Sequence, residues 1–262
     1  MIPRDRISAA IRSACRGGHP AIVAFLTAGF PRKESFRDAL RAVAAGADVV
    51  EIGVPFTDPM ADGVTIQRSS QVALSQGVSL SWILDELAAM PKLDAPLLLM
   101  SYLNPLLSYG LDKLAATAAR VGVCGFIVPD LPIDESDDMR AALDATGVAL
   151  VQMATPVTEP GRLKRIGENS QGFVYAVTMT GTTGKNVAVP EDMLSYLDRV
   201  RAVSKQPVCA GFGIRSREQV ERLRGHVDGV VVGSALIEVL ERGDDPTAWL
   251  RTLRARDGRS AR

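Results

Sequence analysis

The chain has 262 residues, 47% of them hydrophobic and 23% charged, with thirty basic residues against thirty acidic ones. That length holds a sizeable core and suits between one and two domains, or one α/β barrel alone. A net charge of zero argues against a nucleic-acid protein, and no run of about 18 apolar residues offers a membrane span.

The start, residues 1–6, lacks the apolar stretch of a secretory signal. Cys15, Cys124 and Cys209 are scattered, without CxxC spacing, so reduced thiols in a cytoplasmic protein are expected. His19 and His226 lie far apart and do not suggest a zinc site. The first element is a helix over residues 5–15, with Ile7, Ala10, Ile11 and Ala14 on one face, placed to cap one end of a barrel.

Short apolar runs then recur at 22–27, 48–53, 96–101, 125–128, 149–153, 172–177, 207–210 and 229–232. They are nearly continuous rather than alternating, which suits strands buried on both faces of a parallel sheet. Amphipathic stretches with helical spacing separate them, at 34–45, 80–90, 111–121, 135–145, 160–167, 191–204 and 216–224. Ser216 and Gln219 have capping-box spacing. A short helix at 235–241 follows the eighth strand, and a last helix opens at Asp245-Pro246. Eight strands with helices between them predict a (β/α)8 TIM barrel, residues 1–262 as one domain, with an open doubly wound sheet as the alternative. The basic tail from about residue 255 reads as a frayed, solvated end.

In such a barrel the chemistry sits where strands end. Glu51 interrupts the second strand. A buried carboxylate needs a partner or a raised pKa, so Glu51 is either a member of a buried polar pair or a functional group. Residues 54–63 hold two prolines and an Asp-Gly pair and read as a loop. Asp58 and Asp62 there suit plain turn chemistry, but a loop folded back over the barrel mouth would set Asp62 beside Glu51. Two carboxyls in different environments can divide acid and base work.

Glycines cluster after the last three strands, in 178–186, 211–213 and 233–234. Glycine lets backbone amides approach an anion, and loops seven and eight with a short helix are a common phosphate site. Plain turn glycine is the alternative that phosphate binding outweighs. The GTTGKN run lacks Walker spacing, with Met179 and Asn186 where glycine and a hydroxyl residue belong, and 211–216 has no third glycine for a dinucleotide fingerprint. No flavin, nicotinamide or metal is implied. Phe25, Tyr102, Tyr175 and Phe212 fall near strand ends, where an apolar pocket for a flat ring would use them.

The run EIGVPFTDPMADGVTIQ at 51–67 resembles the signature of the tryptophan synthase α-subunit family. LLMSYLNP at 98–105, GFIVPDLP at 125–132, GFGI at 211–214 and GSA at 233–235 agree, in family order over nearly the whole chain. The resemblance implies retro-aldol cleavage of indole-3-glycerol phosphate to indole and glyceraldehyde 3-phosphate. It implies Glu51 as acid and base and Asp62 as acceptor of the indole N–H. Tyr175 would position the substrate, with Phe25, Leu99 and Phe212 in the pocket. Gly184, Gly213, Gly233 and Ser234 would cradle phosphate, and Thr183 would close the site over Asp62.

The same resemblance implies a β-subunit partner in an αββα assembly, with Pro55, Phe56, Asp58 and Pro59 at the interface and a lid over 178–189 nearby. Pyridoxal phosphate would belong to that partner, and this chain would carry no cofactor. Ser101, Thr182 and Phe30 stand where some members carry tyrosine, valine and aspartate. A phosphosugar isomerase on the same barrel, a non-catalytic activator and a stand-alone lyase are the competing readings.

Overall fold

The computed structural model describes residues 1–178, 191–211 and 213–254. The chain opens with α1 (Pro3–Arg16), β1 (Ala21–Thr27), α2 (Phe36–Ala44), β2 (Val49–Gly53), α3 (Val64–Ser75), α4 (Leu80–Ala88) and β3 (Leu97–Met100). It continues through α5 (Leu103–Tyr109), α6 (Leu111–Val121), β4 (Val123–Ile127), α7 (Asp137–Asp144), β5 (Ala149–Ala154), α8 (Pro160–Asn169) and β6 (Val174–Val177). The last elements are α9 (Glu191–Val203), β7 (Val208–Gly211), α10 (Arg217–Leu223), β8 (Gly229–Val232), α11 (Ser234–Arg242) and α12 (Pro246–Thr252).

All eight strands are parallel, each pairs with the next, and β8 pairs back onto β1. The sheet is a closed barrel, so the open doubly wound alternative is excluded. The continuous apolar runs have a physical cause here. Every residue of β1, β2, β4 and β8 is buried, because one side of each strand meets helices and the other fills the barrel.

The core accordingly divides in two. Ile22, Leu26, Val50, Ile52 and Leu99 point outward and pack under the helices. Val23, Val49, Leu98, Ile127, Val151, Phe173, Cys209 and Val231 point inward, over a floor made by Ile7, Ile11 and Ala14 of α1. That confirms the capping face expected of the first helix.

Local signals set several boundaries. Ser79 caps α4 by accepting the Trp82 amide hydrogen, and Asp245 caps α12 by accepting those of Thr247 and Ala248. Ser216 and Gln219 form the expected capping box at α10. The expected helices at 34 and 135 begin instead with single 3-10 turns, Lys33–Ser35 and Ile133–Glu135.

Two helices, α3 and α5, have no counterpart among the periodic stretches of the sequence. α3 buries only Ser69, Ser70 and Ala73 and so shows no apolar stripe. It is anchored by a buried hydroxyl pair, Ser69 Oγ to Thr27 Oγ1 at 2.6 Å. α5 is seven residues long and carries Pro105 in its first turn, where the missing amide hydrogen costs nothing. Among the described residues, no helix is long and apolar enough to cross a membrane.

Candidate active site

Glu51 sits at the centre of β2, in register with Phe25 on β1 and Leu98 on β3. It is 1% exposed, and neither carboxyl oxygen has a hydrogen-bond partner among the described residues. A buried polar pair, one of the two readings of this residue, is therefore absent there. Burial pushes its pKa up to about 8, with the charge of Asp62 adding to the rise. At neutral pH the group is mainly a neutral acid holding a proton in an apolar barrel.

The expected loop over 54–63 does fold back over the mouth. It is tied down at several points. The Val54 amide donates to Met100 O at 2.8 Å, and Asp62 N–H donates to Pro59 O at 3.0 Å. Gln67 Nε2 donates to the Asp62 carbonyl at 2.8 Å, and the Ala61 amide donates to the Tyr102 hydroxyl at 2.9 Å. The Phe56 ring stacks on Tyr102, centroids 5.1 Å apart. Asp62 remains partly exposed. Burial raises its pKa to about 6, so it is mostly ionised at neutral pH. The two carboxyls thus lie on opposite sides of neutrality, one an acid and one an anion, because the strand encloses Glu51 more completely than the loop encloses Asp62.

Tyr175 on β6 reaches the same space. Burial, then the charges of Glu51 and Asp62, push its pKa well above the ordinary phenol value, so it keeps its hydroxyl proton. Gly211 makes room for it: a Cβ there would lie 2.6 Å from the Tyr175 hydroxyl. Phe25 is buried between two glycines, and a Cβ on Gly53 would lie 2.5 Å from its ring. Phe30 packs beside it, with Ile237 of α11.

Leu99 corrects an expectation. It is fully buried on the outward side of β3, under the helices, and cannot line a pocket in the barrel mouth. Leu98 and Met100 are the inward neighbours. Side chains alternate along a strand, so a one-residue step changes the face.

The expected anion side is built from Gly213, Gly233 and Ser234. Gly213 is exposed with φ +58°, a left-handed conformation that favours glycine. Gly233 caps α11, and the Leu236 and Ile237 amides donate to its carbonyl. The preceding amides of Ser234 and Ala235 have no intrahelical acceptor, an arrangement suited to an anion. Arg215 is not part of that arrangement, because both its terminal nitrogens bind Glu238 at 2.7 Å. Thr182, Thr183, Gly184, Phe212 and the tail from 255 lie outside the described residues, as does the expected lid beyond Thr178.

Of the four residues expected at a partner interface, Asp58 is exposed, and Phe56 and Pro59 are partly so. Pro55 is buried and offers no contact surface as the loop stands. Met60 and Val64, 84% and 81% exposed, are the apolar surface of this region, and neither was singled out by the sequence pattern. Gln67 and Tyr102 were also missed as loop supports; Gln67 lies close to the Asp-Gly turn in sequence, whereas nothing in the sequence joins Tyr102 to it. Among the described residues, no group of three or more His, Cys, Asp or Glu could hold a metal ion.

Residues 12–259 match the model of the family described as tryptophan synthase alpha chain. A tryptophan synthase alpha chain from Nitratidesulfovibrio vulgaris (strain DP4) is 45% identical over 249 residues, covering 94% of this chain and 97% of that one. The alpha chain of Solidesulfovibrio magneticus is 46% identical over 235 residues, covering 89% and 92%. Among solved structures, tryptophan synthase of Mycobacterium tuberculosis aligns with TM-score 0.87 and 35% identity over 95% of this chain and 96% of that chain. The alpha subunit from Legionella pneumophila str. Paris aligns with TM-score 0.84 and 30% identity over 95% and 96%.

Proposed function

The chain belongs to the tryptophan synthase alpha chain family, and from that premise we propose that it cleaves indole-3-glycerol phosphate to indole and glyceraldehyde 3-phosphate. The observation that carries this reading is the pairing of a buried, unpartnered Glu51 carboxyl with a more open Asp62 carboxylate at one barrel mouth.

The retro-aldol step needs a proton delivered to the indole C3 and a proton removed from the side-chain hydroxyl. Neutral Glu51 supplies the first. The protonated ring is then an electron sink, and Asp62 accepts a hydrogen bond from the ring N–H and stabilises the positive charge there. Glu51, now a carboxylate, takes the hydroxyl proton. The carbon–carbon bond breaks, its electrons return to the ring, and the aldehyde leaves. Glu51 ends protonated as it began, so one residue serves as acid and then base with a pKa near working pH. Tyr175 orients the substrate through its retained hydroxyl proton, and Phe25 gives the ring an apolar wall. The amides at the α11 N-terminus, with Gly213, hold the phosphate end.

A β-subunit partner in an αββα assembly fits the exposed apolar surface at Met60 and Val64 beside Asp58. Pyridoxal phosphate would sit on that partner, and this chain would act without a cofactor of its own.

Glu51→Gln tests the catalytic assignment. Cleavage is expected to fall by at least about a hundredfold, in line with loss of acid–base catalysis, with the fold intact by circular dichroism. Retained cleavage in a folded variant would remove Glu51 from the mechanism.

A further inference from the structure

We propose that Tyr102 is a positioning residue for Asp62, clasping the loop that carries it to the end of β3. The inference rests on the functional reading above for its kinetic consequences, but not for its structural one.

Two side-chain contacts and a set of backbone bonds converge on this residue. Its hydroxyl accepts the Ala61 amide hydrogen at 2.9 Å, one residue before Asp62, and the Asp62 amide also faces the phenolic oxygen. Its ring stacks on Phe56 at the other end of the loop, with the planes 25° apart. The backbone around it is fixed as well, because Ser101 Oγ donates to the Tyr102 carbonyl at 2.9 Å and the Leu103 amide donates to Asp130 Oδ1, beyond β4, at 2.9 Å. Tyr102 is 4% exposed, whereas Asp58, Met60 and Ala61 on the loop are exposed. A rigid buried side chain therefore holds a loop that has little burial of its own.

Gln67 Nε2 donates to the Asp62 carbonyl, so the peptide unit at the Ala61 amide and the one at the Asp62 carbonyl are both held. Fixing both units restricts where the carboxylate can stand. A displacement of about 1 Å at a reacting group is enough to cost up to about a hundredfold in rate.

The clasp also maintains the partial burial of Asp62. The titratable groups facing Asp62 among the described residues are Glu51 from β2, Tyr102 from the end of β3 and Tyr175 from β6, with Asp130 behind Tyr102. Burial is what raises the Asp62 pKa, so a loosened loop gives the carboxylate more water and lowers that value.

Tyr102→Phe keeps the stacked ring and removes the acceptor. Amide hydrogen exchange at Ala61 is expected to quicken about tenfold. With indole-3-glycerol phosphate, kcat is expected to fall about tenfold with KM changed less than about twofold. The acid limb of the pH profile is expected to move to lower pH. A merely structural defect would lower the active fraction without moving that limb. Phe56→Leu, changed from the exposed side, is expected to quicken Ala61 exchange as well. Unchanged Ala61 exchange in both variants, or an unmoved acid limb in Tyr102→Phe, would overturn the proposal. Absence of cleavage by the parent chain would sink the functional reading and leave the exchange result to decide the clasp.

Discussion

Glu51 and Asp62 lie close enough for the Asp62 charge to raise the Glu51 pKa, yet they stand on unlike supports, Glu51 at the centre of a strand buried on both faces and Asp62 on a loop pinned at its ends. Their pKa values, about 8 and about 6, bracket neutrality. In the proposed mechanism the active form has Glu51 protonated and Asp62 ionised. The profile of kcat/KM is therefore expected to be bell-shaped, with its maximum between about pH 6 and 8 and its limbs belonging to the coupled pair. In Asp62→Asn the residual activity should lose the acid limb. Its upper limb should move to lower pH, because the Asp62 charge is one cause of the raised Glu51 pKa. A two-limbed profile unchanged in Asp62→Asn would contradict the assignment.

Glu51 also couples the fold to pH. Its pKa is raised in the folded chain, from an ordinary 4.5 to about 8. Below pH 4.5 both folded and unfolded chains hold the proton, and no penalty exists. As pH rises from 4.5 to 8 the unfolded chain releases its proton while the folded chain retains it, so stability falls. At pH 7 the loss is roughly 3 kcal/mol. The stability difference between Glu51→Gln and the parent is thus expected to shift in the variant's favour from pH 5 to pH 8. Urea unfolding at both pH values measures it, and a difference independent of pH would exclude a buried titrating Glu51.

Gly211→Ala would drive a methyl group into Tyr175, whose ring carbon Cε1 lies 2.7 Å from the Cβ position. The ring can swing toward the mouth, so the fold is expected to tolerate the change while the site does not. A tenfold fall in kcat/KM corresponds to about 1.4 kcal/mol of lost transition-state binding. Steady-state kinetics should show a loss of about that size, with a melting temperature close to the parent's. Parent-like kinetics would show that Tyr175 does not need its present position.

A stability effect without a functional one is expected at Gly167 in α8. A Cβ there would stand 2.5 Å from the Val203 carbonyl oxygen, where Lys205 already donates a backbone hydrogen bond to Gly167 at 3.1 Å. Gly→Ala inside a helix ordinarily gains up to about 1 kcal/mol, and overpacking a close contact costs about 1–3 kcal/mol. The clash is against backbone, so the loss should win, by about 1–2 kcal/mol. Gly161→Ala in the same helix has open space at its Cβ and should be neutral or stabilising. Denaturant unfolding of the two variants separates these signs.

The barrel was legible because parallel strands buried on both faces leave continuous apolar runs, and α6 falls at 111–121 as its glycine-flanked pattern indicates. α3 was not legible because the residues it buries are Ser69, Ser70 and Ala73, whose burial depends on the Thr27 hydroxyl and on packing against α11. Glu51 stood out as a charge inside an apolar run. Leu99 was misplaced for the converse reason. β3 is apolar throughout, so nothing in its pattern distinguishes its inward from its outward face. The grip of Tyr102 on Ala61 joins residues 41 apart, and only the folded chain shows it.

Release of glyceraldehyde 3-phosphate from indole-3-glycerol phosphate by the purified chain, before and after a tryptophan synthase β subunit is added, tests the proposed function most directly. Slow release that rises sharply with the β subunit is the predicted result. No release in either condition, from a chain shown to be folded, would contradict it.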